Sequence, residues 1–187
     1  MKFSNIVYKF RGVILGAFAL LLLILPPGEL PVSASGILLL FLAACVRITA
    51  RRNIGMHSRG NRLEAPRLVR EGIYSKVRHP LYLSNGLMGS GFVLLHLNWQ
   101  SATFIFLGVL WIFVGFLAQN EDAFLRQEFG DEWVRFADEV PAFIPRLKGQ
   151  MNRNYMQGVF AAFASDLWTW IFLIVLAGLV VARRYLF

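Results

Sequence analysis

The amino-acid sequence predicts an all-α, integral-membrane bundle of about five transmembrane helices, and three observations carry that expectation. Of 187 residues, 57% are hydrophobic and only 16% are charged, against about 25% charged in an average soluble domain. The apolar residues gather into blocks near the length that crosses a hydrocarbon core, about 20 residues each, and the mean hydropathy is +0.55. The basic residues, which bring the formal net charge to +8, fall between those blocks in alternation, the pattern of cytoplasmic loops. No nucleic-acid-reading module accompanies them, so nucleic acid is excluded as a partner. The length suits one domain spanning 1–187.

The first block, residues 6–25, has Lys9 and Arg11 near its start, where long side chains can snorkel, and stops at Pro26-Pro27-Gly28. Its basic start and the later Val32-Ser33-Ala34 also resemble a cleavable leader; we read the block as a retained span. The second block covers 34–50, the third 80–97, the fourth 102–119 and the last 159–182 with Asp166 inside it. Lys and Arg number three up to Arg11 at the start of the first block, none in 26–35, nine in 47–79, none in 97–101, five in 121–156 and two after the last. That alternation places the N-terminus and both long loops in the cytoplasm. A fifth crossing puts Arg183 and Arg184 outside, against the rule, so packing must hold the last segment or its path is irregular. Trp168, Trp170 and Tyr185 read as interfacial anchors. The single cysteine, Cys45, reads as a small buried core residue. His57, His79 and His96 lack metal-ligand spacing, so no metal site is expected.

Two polar stretches in the cytoplasmic loops stand out. The first is Glu71-Gly72-Ile73-Tyr74-Ser75-Lys76-Val77-Arg78-His79-Pro80-Leu81-Tyr82. Pro80 suits the first turn of a helix, which sets His79 at the cap and leaves first-turn N–H groups as a small anion site. On the helix that follows, His79, Tyr82, Gly86 and Ser90 share a face, with Gly89 and Gly91 nearby; close helix packing accounts for the glycines but not for the His-Pro-x-Tyr start. The second stretch begins Asn120-Glu121-Asp122 and runs to Trp133, leading to Pro141 and Pro145. Leu125, Phe129, Trp133 and Phe136 or Ala137 recur at three to four residues, so an amphipathic helix is expected to leave the fourth span and lie along the membrane surface. Glu121 and Asp122 stand where apolar helix meets interface, a position that marks functional candidates. Asp166 is expected near the headgroups, in a mainly structural role.

Together, Gly72-x-Tyr74-x-x-x-Arg78-His79-Pro80-x-Tyr82 and Glu121-Asp122-x-x-Leu125-x-x-x-Phe129-Gly130 resemble the isoprenylcysteine carboxyl methyltransferase family and the related phospholipid N-methyltransferases. The resemblance covers residues 66–145, a methyltransferase-like core. It implies S-adenosylmethionine as cofactor, held in the cytoplasmic half of the bundle in a pocket capped by the amphipathic helix. Residue by residue, it implies that Pro66, Arg67, Leu68, Val69, Tyr74, His79, Pro80, Leu81, Tyr82 and Glu121 contact that cofactor. Asp122 stands where the family often has a second Glu, and Trp133 where it often has Tyr. Where the prenylcysteine enzymes carry an arginine that pairs with the substrate carboxylate, this chain has Leu117, which argues against a prenylcysteine carboxylate acceptor.

The chemistry of the residues agrees with that implication. The zwitterionic end of the cofactor needs a receptor for its carboxylate, which N–H groups near His79 and Pro80 supply, and a partner for its ammonium, which Glu121 supplies. The leading expectation is thus an integral-membrane methyltransferase that takes its cofactor from the cytoplasm and a lipid or other hydrophobic small molecule from the bilayer. The alternatives are a nicotinamide-dependent membrane reductase of the sterol reductase type and a non-catalytic, lipid-binding scaffold, since fold alone does not fix function.

Overall fold

The computed structural model describes residues 7–29, 32–54, 67–146 and 157–185. Among them the elements are α1 (Arg11–Ile24), α2 (Ala34–Ile54), a one-turn 3-10 helix (Gly72–Ser75), α3 (Pro80–Leu97), α4 (Ser101–Phe129), α5 (Asp131–Glu139), α6 (Val159–Ala164) and α7 (Leu167–Tyr185). The described residues contain no strand, so the all-α expectation holds.

The bundle is built around α3, the most covered helix, with twelve of its eighteen residues buried. Its small side chains bring its neighbours close. A Cβ at Gly86 would stand 2.7 Å from the Trp111 ring of α4, and one at Gly91 would stand 2.8 Å from Leu40 of α2. Trp111 Nε1 donates to Ser90 Oγ at 3.1 Å, and Ser84 Oγ donates to the Ala43 carbonyl of α2 at 3.1 Å. The small face of α3 is therefore a packing face, as small residues at membrane helix contacts generally are. Because protein covers it, α3 carries Ser84, Asn85, Ser90 and His96 without exposing them to lipid.

Three helices, α2, α4 and α7, are long and apolar enough to cross a membrane. The first expected crossing is only 14 residues of helix, and the third is the polar, protein-covered α3, so the count of five spans is not established. The last block is not continuous: helix ends at Ala164 and restarts at Leu167. Asp166 sits in the break and is buried at 7% exposure, contrary to the expectation that it faces headgroups; two arginines draw it inward. Cys45 is likewise exposed, not a core residue. An apolar run does not tell a protein-facing side from a lipid-facing one, because both are apolar.

The expected amphipathic helix also differs. Helix α4 continues unbroken past Gln119 to Phe129, and Gly130, at φ 53°, turns the chain into α5. Only α5 is the separate surface helix, with Phe136 buried against the bundle. At the opposite end, Arg184 of α7 donates to the carbonyls of Leu95 and His96 at 2.7 and 2.9 Å. These are orphan carbonyls at the C-terminus of α3, so this arginine has a packing reason to lie where the charge rule disfavours it. Its end of the bundle also holds the Gly28 N–H bonded to the His96 carbonyl at 2.8 Å.

Candidate functional site

Among the described residues, the polar groups of the two motifs meet at the other end of the bundle. There the chain enters α3 through the 3-10 helix and a short loop. Gly72 begins the turn at φ +59°, and a Cβ there would fall 2.1 Å from the side chain of Asn53, so both conformation and space demand glycine. Ser75 Oγ closes the turn on the Gly72 carbonyl at 2.7 Å. His79 is the N-cap of α3 and Pro80 its first residue, as expected, and no side chain caps the first turn.

The segment after α5 is strapped across this loop. Arg78 N–H donates to the Pro141 carbonyl at 2.8 Å, His79 N–H to Ala142 at 3.1 Å, and Arg146 N–H to Lys76 at 3.0 Å. The Arg78 guanidinium donates to the carbonyls of Ala137 and Val140 at 2.9 and 2.7 Å, and it grips Asp122 with Nε and Nη2 at 3.2 and 3.1 Å. His79 Nε2 lies 2.7 Å from the same carboxylate. Asp122 thus fastens the loop before α3 and the strap after α5 to α4. Phe143 of the strap packs at 6.2 Å from the His79 ring and edge-on to Trp111 at 6.0 Å.

Its neighbour Glu121 points to a different environment. The charge of Glu121 bears on the phenols of Tyr82 and Tyr8. Tyr74, buried in the 3-10 helix, also feels the Glu121 charge. Burial first and that carboxylate second push its phenol well above the usual value, while Arg51 and Arg47 pull the other way. Three phenols from three parts of the chain therefore stand within electrostatic reach of one half-buried carboxylate.

Past Tyr74 stands a charged cluster that the sequence reading missed. Arg47 of α2 pairs through Nε with Asp166 Oδ2, donates to Asn85 Oδ1 at 2.7 Å and to Thr169 Oγ1 at 3.1 Å. Arg51 Nη2 reaches Asp166 Oδ1 at 3.0 Å. Two arginines one turn apart inside an apolar block were the available signal, and a later acid was their partner. The cluster heads a cavity of about 480 Å³. Arg11, Asn85 and Thr169 share its polar end, and Leu15, Phe92, Leu117 and Leu176 are among its apolar walls.

Of the expected cofactor contacts, Tyr74, Tyr82 and Glu121 form one cluster. His79 and Pro80 begin the helix beside it, and Leu81 is half-buried in the first turn. Leu68 and Val69 lie half-buried in the extended approach to Tyr74, while Arg67 is exposed, 3.9 Å from Glu71. Pro66 lies outside the described residues.

Residues 32–132 match the family described as phospholipid methyltransferase, a stretch that takes in α2, the 3-10 helix, α3 and α4. Among curated relatives, the chain is 31% identical over 118 residues to protein-S-isoprenylcysteine O-methyltransferase B of Arabidopsis thaliana, covering 61% of this chain and 59% of that one. It is 38% identical over 78 residues to the protein-S-isoprenylcysteine O-methyltransferase of Schizosaccharomyces pombe, covering 42% and 33%. With the Saccharomyces cerevisiae protein of the same name it is 33% identical over 115 residues, covering 59% and 47%. The chain thus spans about a third to three fifths of the length of these relatives. No solved structure matches the chain at comparable significance.

Proposed function

Since the chain belongs to the phospholipid methyltransferase family, we propose that it is an integral-membrane methyltransferase that uses S-adenosylmethionine to methylate a lipid or other hydrophobic small molecule. The observation that carries the reading is Glu121, a half-buried carboxylate whose charge bears on the phenols of Tyr82, Tyr74 and Tyr8, one helical turn from Leu117 on the wall of the cavity.

The donor set fits the cofactor. It has an ammonium and a carboxylate at one end, and the site has a carboxylate, Glu121, and a helix start after Pro80 whose first-turn N–H groups, at Leu81 and Tyr82, no side chain caps. Leu68, Val69 and Leu81 supply apolar surface on the approach. S-adenosylmethionine bound there supplies a methyl group on a sulfonium, open to in-line displacement by an acceptor nucleophile.

The protein's own contribution is position and dryness. The strap from 140 to 146 closes the loop over the end of the bundle by backbone bonds to residues 76–79. Excluding water from a reaction in which charge disperses favours the transition state, and holding two reactants in line contributes about 7–11 kcal/mol. The acceptor reaches the site from the cavity between α1, α3 and α7, and the cofactor from the strap side. The distribution of Lys and Arg supports the reading of that side as cytoplasmic.

The test is calorimetric titration of S-adenosylmethionine and its demethylated product into the purified protein, with Glu121→Gln alongside. Micromolar binding that the variant loses is expected. Absence of binding by folded wild-type protein overturns the reading.

A further inference from the structure

The last helix is held at its two ends. Only Leu176 and Val180 of the nineteen residues of α7 are buried, so apolar packing by itself grips it weakly. At its start Asp166 pairs with Arg47 and Arg51. At its finish Arg184 Nη1 donates to the carbonyls of Leu95 and His96, and Nη2 donates to the Glu29 carbonyl. This second anchorage lies away from the two motifs and has no part in the proposed reaction.

His96 stands at its centre. The residue is 0% exposed, and its Nε2 lies 3.0 Å from the Leu25 carbonyl. A carbonyl only accepts, so Nε2 carries the proton and Nδ1 is a bare lone pair. Among the described residues no donor reaches that buried Nδ1. The surroundings are tight: the Gly28 N–H donates to the His96 carbonyl at 2.8 Å, and a Cβ at Gly28 would fall 2.2 Å from the Leu97 carbonyl oxygen. Asn98 donates to the Glu29 carbonyl at 3.2 Å. The end of α1, the turn at 26–29, α3 and α7 thus converge on one histidine.

The charge around the ring has one sign. Arg183 and Arg184 of α7 both bear on it. Glu29 is exposed and offers the cluster its carbonyl. The other packed elements add nothing, since α1 has no titratable residue after Arg11, α2 none before Cys45 and α4 none before Glu121. A proton on Nδ1 therefore sets an imidazolium beside Arg184 with no carboxylate to pair it, and an unpaired buried cation is costly. Opening the contact to water removes that cost. The connections at this end, 26–35 and 97–101, have no Lys or Arg, which fits a face outside the cytoplasm.

We propose that His96 and Arg184 form a proton-operated latch: with His96 neutral, the end of α7 is fixed to α3 and to the turn at 26–29, and a proton taken up by Nδ1 releases it. Leu173 and Leu176 of α7 line the cavity, so release of that end loosens one cavity wall. The latch rests on its own geometry and is independent of the methyltransferase reading.

The test compares about pH 7.5 with about pH 5, on either side of the ordinary histidine value, for the full chain in phosphatidylcholine nanodiscs. Spin labels at Trp99→Cys and Tyr185→Cys, in Cys45→Ser protein, flank the latch at exposed positions. Double electron–electron resonance should give one short distance at the higher pH and a longer, broader distribution at the lower. His96→Gln is neutral at every pH and keeps a donor for Leu25, so it should hold the short distance at both. The melting temperature should also fall about 5 °C further in wild type than in His96→Gln over that interval, because below about pH 6.5 the unfolded chain takes up a proton that the latched chain does not. A wild-type distance that does not change with pH, or an equal change in His96→Gln, overturns the proposal. If His96→Gln fails to fold, nitrogen NMR of histidine-labelled wild type decides, with His57→Gln and His79→Gln assigning the other two rings. A His96 ring that stays neutral until the distance lengthens supports the latch, and one that is protonated near pH 6.5 while the distance stays short overturns it.

Discussion

Asp122→Asn separates two adjacent acids that sequence alone treats alike. Asp122 accepts from Arg78 Nε and Nη2 at 3.2 and 3.1 Å and faces His79 Nε2 at 2.7 Å, with Asp122 18% and Arg78 13% exposed. The amide keeps one oxygen for one of these donors but turns an N–H₂ toward the other and removes the charge. Arg78 retains the carbonyls of Ala137 and Val140, so its positive charge is still hydrogen-bonded, and the loss is smaller than for a fully stranded ion. Charge-assisted hydrogen bonds contribute about 1.5–3 kcal/mol each and do not add, which gives a net loss of about 2–4 kcal/mol. For a chain of this size that is a fall in melting temperature of about 5–15 °C. The assay is a circular-dichroism melt in detergent at fixed pH, paired with amide exchange at Arg78 and His79, whose N–H groups bond to the strap. Both amides should exchange faster. A melting temperature within about 2 °C of wild type, the range of an ordinary surface change, together with unchanged exchange, would refute the claim that Asp122 fastens the strap.

Glu121→Gln should do the reverse, lowering affinity for S-adenosylmethionine by about 10–100-fold through loss of one charge-assisted contact with little change in the melt; unchanged affinity removes Glu121 from the site. Gly86→Ala places a methyl group 2.7–3.0 Å from the Trp111 ring, an overpacking cost of about 1–3 kcal/mol that the same melt reads, and full stability would mean that the α3–α4 contact is looser than described. Asp166→Asn leaves Arg47 and Arg51 facing each other without their carboxylate and should cost about 3–5 kcal/mol, seen as loss of folded protein on size-exclusion chromatography. Tyr74 gives a pH prediction. Its folded-state value lies above its unfolded value of about 10, so above that pH the unfolded chain has lost a proton that the folded one keeps. Stability therefore falls as pH rises, by up to about 1.4 kcal/mol per pH unit from this group. Tyr74→Phe should flatten the alkaline limb of stability against pH, and an unaltered limb would contradict the burial of that phenol.

The sequence by itself determined that the chain is helical and membrane-embedded, because apolar run length and the placement of Lys and Arg are local properties. It also determined where α3 begins, because Pro80 fixes its own backbone and removes an N–H that only a helix start tolerates. The paired motifs likewise brought Tyr74, His79, Tyr82 and Glu121 to one end of the bundle before any contact was visible. Only the tertiary structure decided how neighbouring residues divide their work. Glu121 and Asp122 are adjacent, yet successive positions on a helix point about 100° apart, so the charge of one bears on three tyrosines and the other holds Arg78. Cys45 and the outer face of α2 could not be assigned from composition, since lipid and protein interior are equally apolar. Arg47 and Arg51 each lie more than a hundred residues from Asp166 in sequence, and neither local pattern nor charge counting announces which acid they pair with once α2 and α7 are packed. That pairing broke the last apolar block at Asp166, because a carboxylate drawn to two buried cations outweighs the continuity of one helix.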